Sequence, residues 1–104
     1  MTLDDIRTLV TSVDPTAGHY ESAYQGSQAY TVWKEDNSLG FVADGRHQGA
    51  ISFHIDRFTK NEFDTVAAAL IEALETDDRV AYTYVVDYEQ DTRYIHHIFD
   101  CEGL

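Results

Sequence analysis

Basic residues are scarce in this chain. Seven Lys and Arg stand against nineteen Asp and Glu, a formal net charge of −12. Such a surface repels phosphate backbones and anionic headgroups, which argues against ordinary nucleic-acid binding and against a membrane partner. Cysteine is nearly absent: Cys101 stands alone, so no intrachain disulfide can form. No apolar stretch approaches the roughly 18 residues needed to span a bilayer. The opening MTLDDIRTLV has neither a basic start nor a continuous apolar run. The expectation is a soluble, intracellular protein. The few glycines (18, 26, 40, 45, 49 and 103) never gather into a phosphate-cradling loop, and G-x-S-x-G, H-E-x-x-H and paired C-x-x-C are missing. Neither an enzyme nor a cofactor is expected.

What is present suffices for one folded unit. At 104 residues, without an internal repeat or a linker-like stretch, residues 1–104 read as a single domain. A chain of this size buries about two thirds of its unfolded surface, and 43% hydrophobic residues can fill that interior. The acidic residues are spread along the chain and not collected into a tail, which implies a folded acidic surface. That surface serves solubility, mimics the charge of DNA, or lines a pore along which DNA slides without adhering.

Periodicity marks the elements. Thr2 and Asp5 resemble an N-cap pair, and Leu3, Ile6, Leu9, Val10 and Val13 recur at helical spacing until Pro15. Residues 14–28 show no period and read as a flexible loop carrying exposed aromatics at Tyr20 and Tyr24. Residues 29–34 and 39–43 are β-prone, and Asp44-Gly45 signals a reversal. Ile51, Phe53 and Ile55 alternate with Ser52, His54 and Asp56, a strand with one buried face. Phe58 falls out of that phase, which predicts a bulge or strand end near Arg57. Thr59 and Glu62 form a T-x-x-E capping box, predicting a helix from Lys60 whose apolar stripe is Phe63, Val66, Ala67, Leu70, Ile71 and Leu74. Residues 80–88 and 94–101 read as strands joined by the polar turn EQDTR. The predicted fold is α+β: order α-β-β-β-α-β-β, a mainly antiparallel sheet, helices packed on one face.

Candidate chemistry is thin. His96 and His97 are adjacent, so on a strand they point to opposite faces and cannot share one metal; no metal site is expected. His97 and Cys101 share a face and could pair as base and thiol, but a small buried hydrophobe in the apolar register is the favoured reading of Cys101. Asp87, Glu89, Asp91 and Asp100 read as a solvated hairpin end. The tyrosines say more. Tyr82, Tyr84, Tyr88 and Tyr94 crowd onto the last two strands, and tyrosine joins apolar area to a polar tip, as interfaces require. With Tyr20 and Tyr24 they form the candidate interface set. The run 80–88 is apolar on both faces, the pattern of a sheet whose second face meets another subunit.

The run ISFHIDRFTKNEFDTVAAALIEALETDDRV, followed by DYEQDTRYIHHIFD, resembles the tail-completion or tail-terminator family of long-tailed bacteriophages and prophages. In that family a strand ending in a phrase similar to IDRFTK leads into a helix with paired Ala and Leu, then a long strand. A tyrosine and an acidic-Thr turn precede the last strand, as Tyr88, Glu89, Asp91, Thr92 and Tyr94 do here. The resemblance covers residues 51–100, and where the family often has Gly in the last hairpin this chain has Arg93. It implies a non-catalytic virion protein, present in the bacterial cytoplasm during assembly and then in the virion. Its subunits would form a ring, typically of six, that caps the tail tube and joins it to head-connector proteins. DNA would pass through as cargo, unhindered by an acidic wall. The alternative reading is an acidic binding inhibitor, a DNA mimic or an immunity-type protein.

Overall fold

The computed structural model describes residues 1–26, 29–36, 42–43, 46–47 and 50–104, with backbone alone at 42–43 and 46–47. Helix α1 (Leu3–Val13) starts where Thr2 and Asp5 close a reciprocal box: Thr2 Oγ1 accepts from the Asp5 amide at 3.1 Å, and Asp5 Oδ2 accepts from the Thr2 amide at 2.8 Å. It ends just ahead of Pro15, whose ring disfavours helical backbone at the residue before it. The short β1 (Gly18–His19) pairs in parallel with β2 (Ala29–Glu35), inside the segment whose sequence shows no period. At Gly18 any Cβ would collide with the Glu21 carbonyl, so the chain can fold back there only with glycine.

The pair β3 (Val42–Ala43) and β4 (Arg46–His47) forms a separate antiparallel ladder, while Leu39 to Phe41, Asp44 and Gly45 lie outside the described residues. Strand β5 (Ile51–Thr59) then runs through the centre of a five-stranded sheet. After it come α2 (Thr65–Thr76), β6 (Val80–Glu89) and β7 (Tyr94–Gly103), and the order across the main sheet is β1-β2-β5-β7-β6. All pairings but the first are antiparallel. The α+β class and the largely antiparallel sheet therefore stand as predicted.

Two expectations need correction. Strand β5 does end near Arg57, at Thr59, but no bulge interrupts it: its register runs unbroken from Ile51 opposite Gly103 to Thr59 opposite Ile95. Phe58 breaks the alternation of apolar residues because it belongs to the other face, stacked between Tyr30 and His96 at centroid distances of 4.7 and 4.1 Å. Nor does Thr59–Glu62 cap the helix. Thr59 is the last residue of β5, and the N-cap is Asp64, whose side chain accepts from the Ala67 amide. Helix α2 thus starts at Thr65, and Phe63 stands outside it, 79% exposed.

Both helices cover one face of the sheet. Ile6 and Val10 of α1, and Leu70 and Leu74 of α2, meet Trp33, Ile51, Phe53, Ile55, Phe99 and Cys101. Fully burying side chains of this size stabilises by about 1.5 to 3 kcal/mol each, so this cluster defines the fold. Among the described residues no helix packs on the opposite face, and β6 forms the outer edge of the sheet.

Candidate interaction surface

Polar groups inside the helix-covered layer are committed to holding the elements together. Arg57 projects from β5 into that layer and is buried. Its Nε and Nη2 donate to the two oxygens of Asp64 at 2.9 and 3.1 Å, and its Nη1 donates to Asp14 at 3.4 Å and Thr31 at 3.2 Å. Asp14 follows α1 and Asp64 caps α2, so one guanidinium ties a strand to both helix ends. Burial pushes both carboxyls up. Hydrogen bonds outweigh it, from Thr16 and Thr31 at Asp14 and from Arg57 and the Ala67 amide at Asp64, so both sit below the ordinary carboxylate value. As anions they hold the two helix ends to β5.

His97 stands opposite Arg57 on β7. Its Nδ1 shares a hydrogen bond of 2.7 Å with the Tyr84 hydroxyl, and its Nε2 is buried with no partner among the described residues. Burial lowers its pKa; Asp64 opposes that effect while Arg57 and His96 add to it, which favours neutral imidazole. Cys101, on the same face, is packed in the core, and burial pushes its thiol up to about 12. A thiolate nucleophile activated by His97 does not fit that environment.

On the open face two histidines each sit between two carboxylates. His54 lies between Asp36, 2.6 Å from Nε2, and Asp100, 2.5 Å from Nδ1. His96 lies between Asp56 at 2.7 Å and Glu89 at 3.4 Å. Among the described residues no three His, Cys, Asp or Glu side chains converge as a metal site requires. No helix among them is long and apolar enough to cross a membrane.

The six tyrosines singled out from sequence do not form one surface. Tyr20 and Tyr24 are exposed beside β1, at the far edge of the sheet from β6. Tyr20 holds a left-handed φ of 70° and stacks on His19, which stacks in turn on Trp33. Tyr94 is buried on the helix-free face, edge-on to Tyr30 and Phe58, with the Lys60 ammonium 4.9 Å over its ring. It packs the fold and is not available to a partner. Tyr82 is half-buried against the core, its hydroxyl donating to Glu75 at 2.6 Å.

Tyr84 and Tyr88 do belong to a surface, together with two residues the tyrosine pattern alone missed. Along β6, Tyr84 is 38%, Val85 57%, Val86 50% and Tyr88 56% exposed. Tyr84, Val86 and Tyr88 look toward the helix side beyond the reach of α2, and Val85 looks to the open side. The signal in sequence was the absence of any charge from Val80 to Val86. Natural edge strands are usually blunted by Lys, Pro or a bulge, and β6 has none of these over its first seven residues. No described strand pairs with its outer edge, so the backbone groups there and its two apolar flanks are presented together. Comparison with family models, with curated proteins and with solved structures finds no match to this chain.

Proposed function

We propose that this chain is a non-enzymatic virion-assembly subunit of a long-tailed phage or prophage, of the tail-completion or head–tail joining kind, that docks through β6. The observation that carries the reading is the exposed apolar strip Tyr84, Val85, Val86 and Tyr88 on an unblunted edge strand. A strip of this kind is costly to leave in water and is the usual mark of an interface.

The final hairpin adds support. Arg93 has φ 64°, the left-handed region that favours glycine, at the position where the resembling family often carries Gly. In this reading the subunits gather into a ring, of six by the family pattern, on the tail tube, and head-connector proteins seat on it. DNA passes an acidic wall. The protein acts in the bacterial cytoplasm during assembly and afterwards in the virion. The inhibitor reading is less well supported, because Asp36, Asp56 and Asp100 of the open face are engaged by His54 and His96 instead of standing free at phosphate-like spacing.

The test is complementation of tails assembled without the protein. Added wild-type chain is expected to restore uniform tail length and head joining in electron micrographs, and Val85→Lys to fail. Tails that reach normal length and join heads in its complete absence would sink the proposal.

A further inference from the structure

We infer that the occupant of the β6 edge in the free protein is a second copy of this chain, paired antiparallel through β6 itself about a two-fold axis at Val85. This rests on β6 being the joining surface, not on the virion assignment.

Three features point to a second copy. First, β6 is ten residues long, whereas the other edge of the sheet is β1, of two residues, and β3 and β4 have two each. Among the described edge strands, only the β6 of another copy offers β6 a ladder of equal length. Second, the charges within β6 lie at one end: Val80 to Val86 carry none, and Asp87 and Glu89 follow. Antiparallel pairing sets those carboxylates against the uncharged part of the mate. Parallel pairing would stack acid on acid.

Third, the register centred on Val85 sets apolar and aromatic residues against one another at its middle and opposes no two carboxylates. On the helix side Tyr82 faces Tyr88 and Tyr84 faces Val86. On the open side Val85 faces its own copy, Thr83 faces Asp87 and Ala81 faces Glu89. The two Asp87 side chains stand four residues apart along the strands, about 13 Å, beyond the Debye length of about 8 Å in physiological salt. Both helix layers fall on the same side, so two five-stranded sheets become one. A two-fold contact closes at two copies, and any larger ring needs another surface.

Disulfide trapping reads this register directly. Val85→Cys puts two thiols on the axis, where opposed residues of antiparallel strands have Cα atoms about 4.5 to 5.5 Å apart. Cys101 is buried and does not compete. Val85→Cys is expected to link to itself under mild oxidation, and Thr83→Cys to link to Asp87→Cys in a mixture but not to itself. Sedimentation of the wild type is expected to give a dimer of the 11.8 kDa chain that tightens with salt, since each copy carries −12. Val85→Lys lowers the net negative charge yet places two ammonium groups face to face, and is expected to be monomeric.

A wild-type chain that stays monomeric up to the concentrations of an NMR sample would overturn the inference, as would a dimer that survives Val85→Lys. Either result leaves the tail-complementation test standing. Conversely, a trapped β6 dimer from a protein that fails to complete tails would separate this contact from the assembly role.

Discussion

Arg57 and Asp64 meet through two parallel hydrogen bonds, Nε to Oδ2 and Nη2 to Oδ1, while the same Asp64 carboxylate caps α2. One charge pair thereby fixes the angle at which the chain leaves the central strand and enters its longer helix. Arg57→Leu would leave Asp14 and Asp64 without their shared cation, and breaking one side of a buried ion pair costs about 3 to 5 kcal/mol. Arg57→Lys keeps the charge but loses the planar fork, so a smaller loss is expected. Urea unfolding followed by circular dichroism separates the two. A loss below 1 kcal/mol in Arg57→Leu would show that the guanidinium does not hold the helix ends.

The same cluster gives stability a pH dependence with a definite sign. Asp14 and Asp64 titrate below their ordinary 3.8 in the fold, so their contribution is complete above that value and is lost as pH falls through the depressed folded values. His97 titrates below its ordinary 6.5 in the fold, so on acidification the unfolded chain takes up that proton first. Stability from this group therefore begins to fall once pH drops below 6.5, before the carboxylates respond. His97→Phe should flatten the decline in urea midpoint between 6.5 and the carboxylate range, leaving the later acid loss in place. An unchanged slope in that interval would remove His97 from the account.

Where the backbone pattern alone set an element, sequence reading placed it well. Thr2 and Asp5 mark the start of α1 and Pro15 its end, and the alternation at Ile51, Phe53 and Ile55 identifies the central strand. The failures fall where a residue serves two elements. Phe58 looked out of phase because sequence does not reveal that the helix-free face carries its own aromatic cluster. Thr59–Glu62 matched a capping box, but Thr59 belongs to β5 and Asp64 doubles as N-cap and partner of Arg57. Tyr94 and Tyr88 are chemically alike, and only the third dimension places one inside and the other at an edge.

Arg93 offers a gain of stability. A non-glycine residue with φ 64° bears roughly 1 to 2 kcal/mol of steric strain, which glycine relieves while adding entropy to the unfolded chain. Arg93→Gly is expected to raise stability by up to about 1 kcal/mol with no change in the β6 surface. A destabilised variant would mean that the arginine side chain makes a contribution larger than its strain.

Cys101 should be silent toward thiol reagents in the folded protein. Its side chain is packed against the core, and burial pushes its pKa up to about 12, so almost no thiolate exists at neutral pH. Labelling with a disulfide reagent is expected only in denaturant, rising along the unfolding curve. Rapid labelling of the native chain would reopen a reactive role for the thiol.

Phe63 distinguishes the spacing rule from the fold that displaced it. On the stripe Phe63, Val66, Ala67, Leu70 it would be a core residue, and its truncation to Ala would cost about 3 to 5 kcal/mol. In the structure it precedes the Asp64 cap and is 79% exposed, so Phe63→Ala should change stability by no more than about 0.5 kcal/mol. Asp64→Ala, one residue on, should be severe, because it removes the helix cap and leaves Arg57 without its bidentate partner. Urea midpoints for the pair decide where α2 starts. A mild Asp64→Ala and a severe Phe63→Ala would restore the helix to Lys60 and break the link between Arg57 and the helix end.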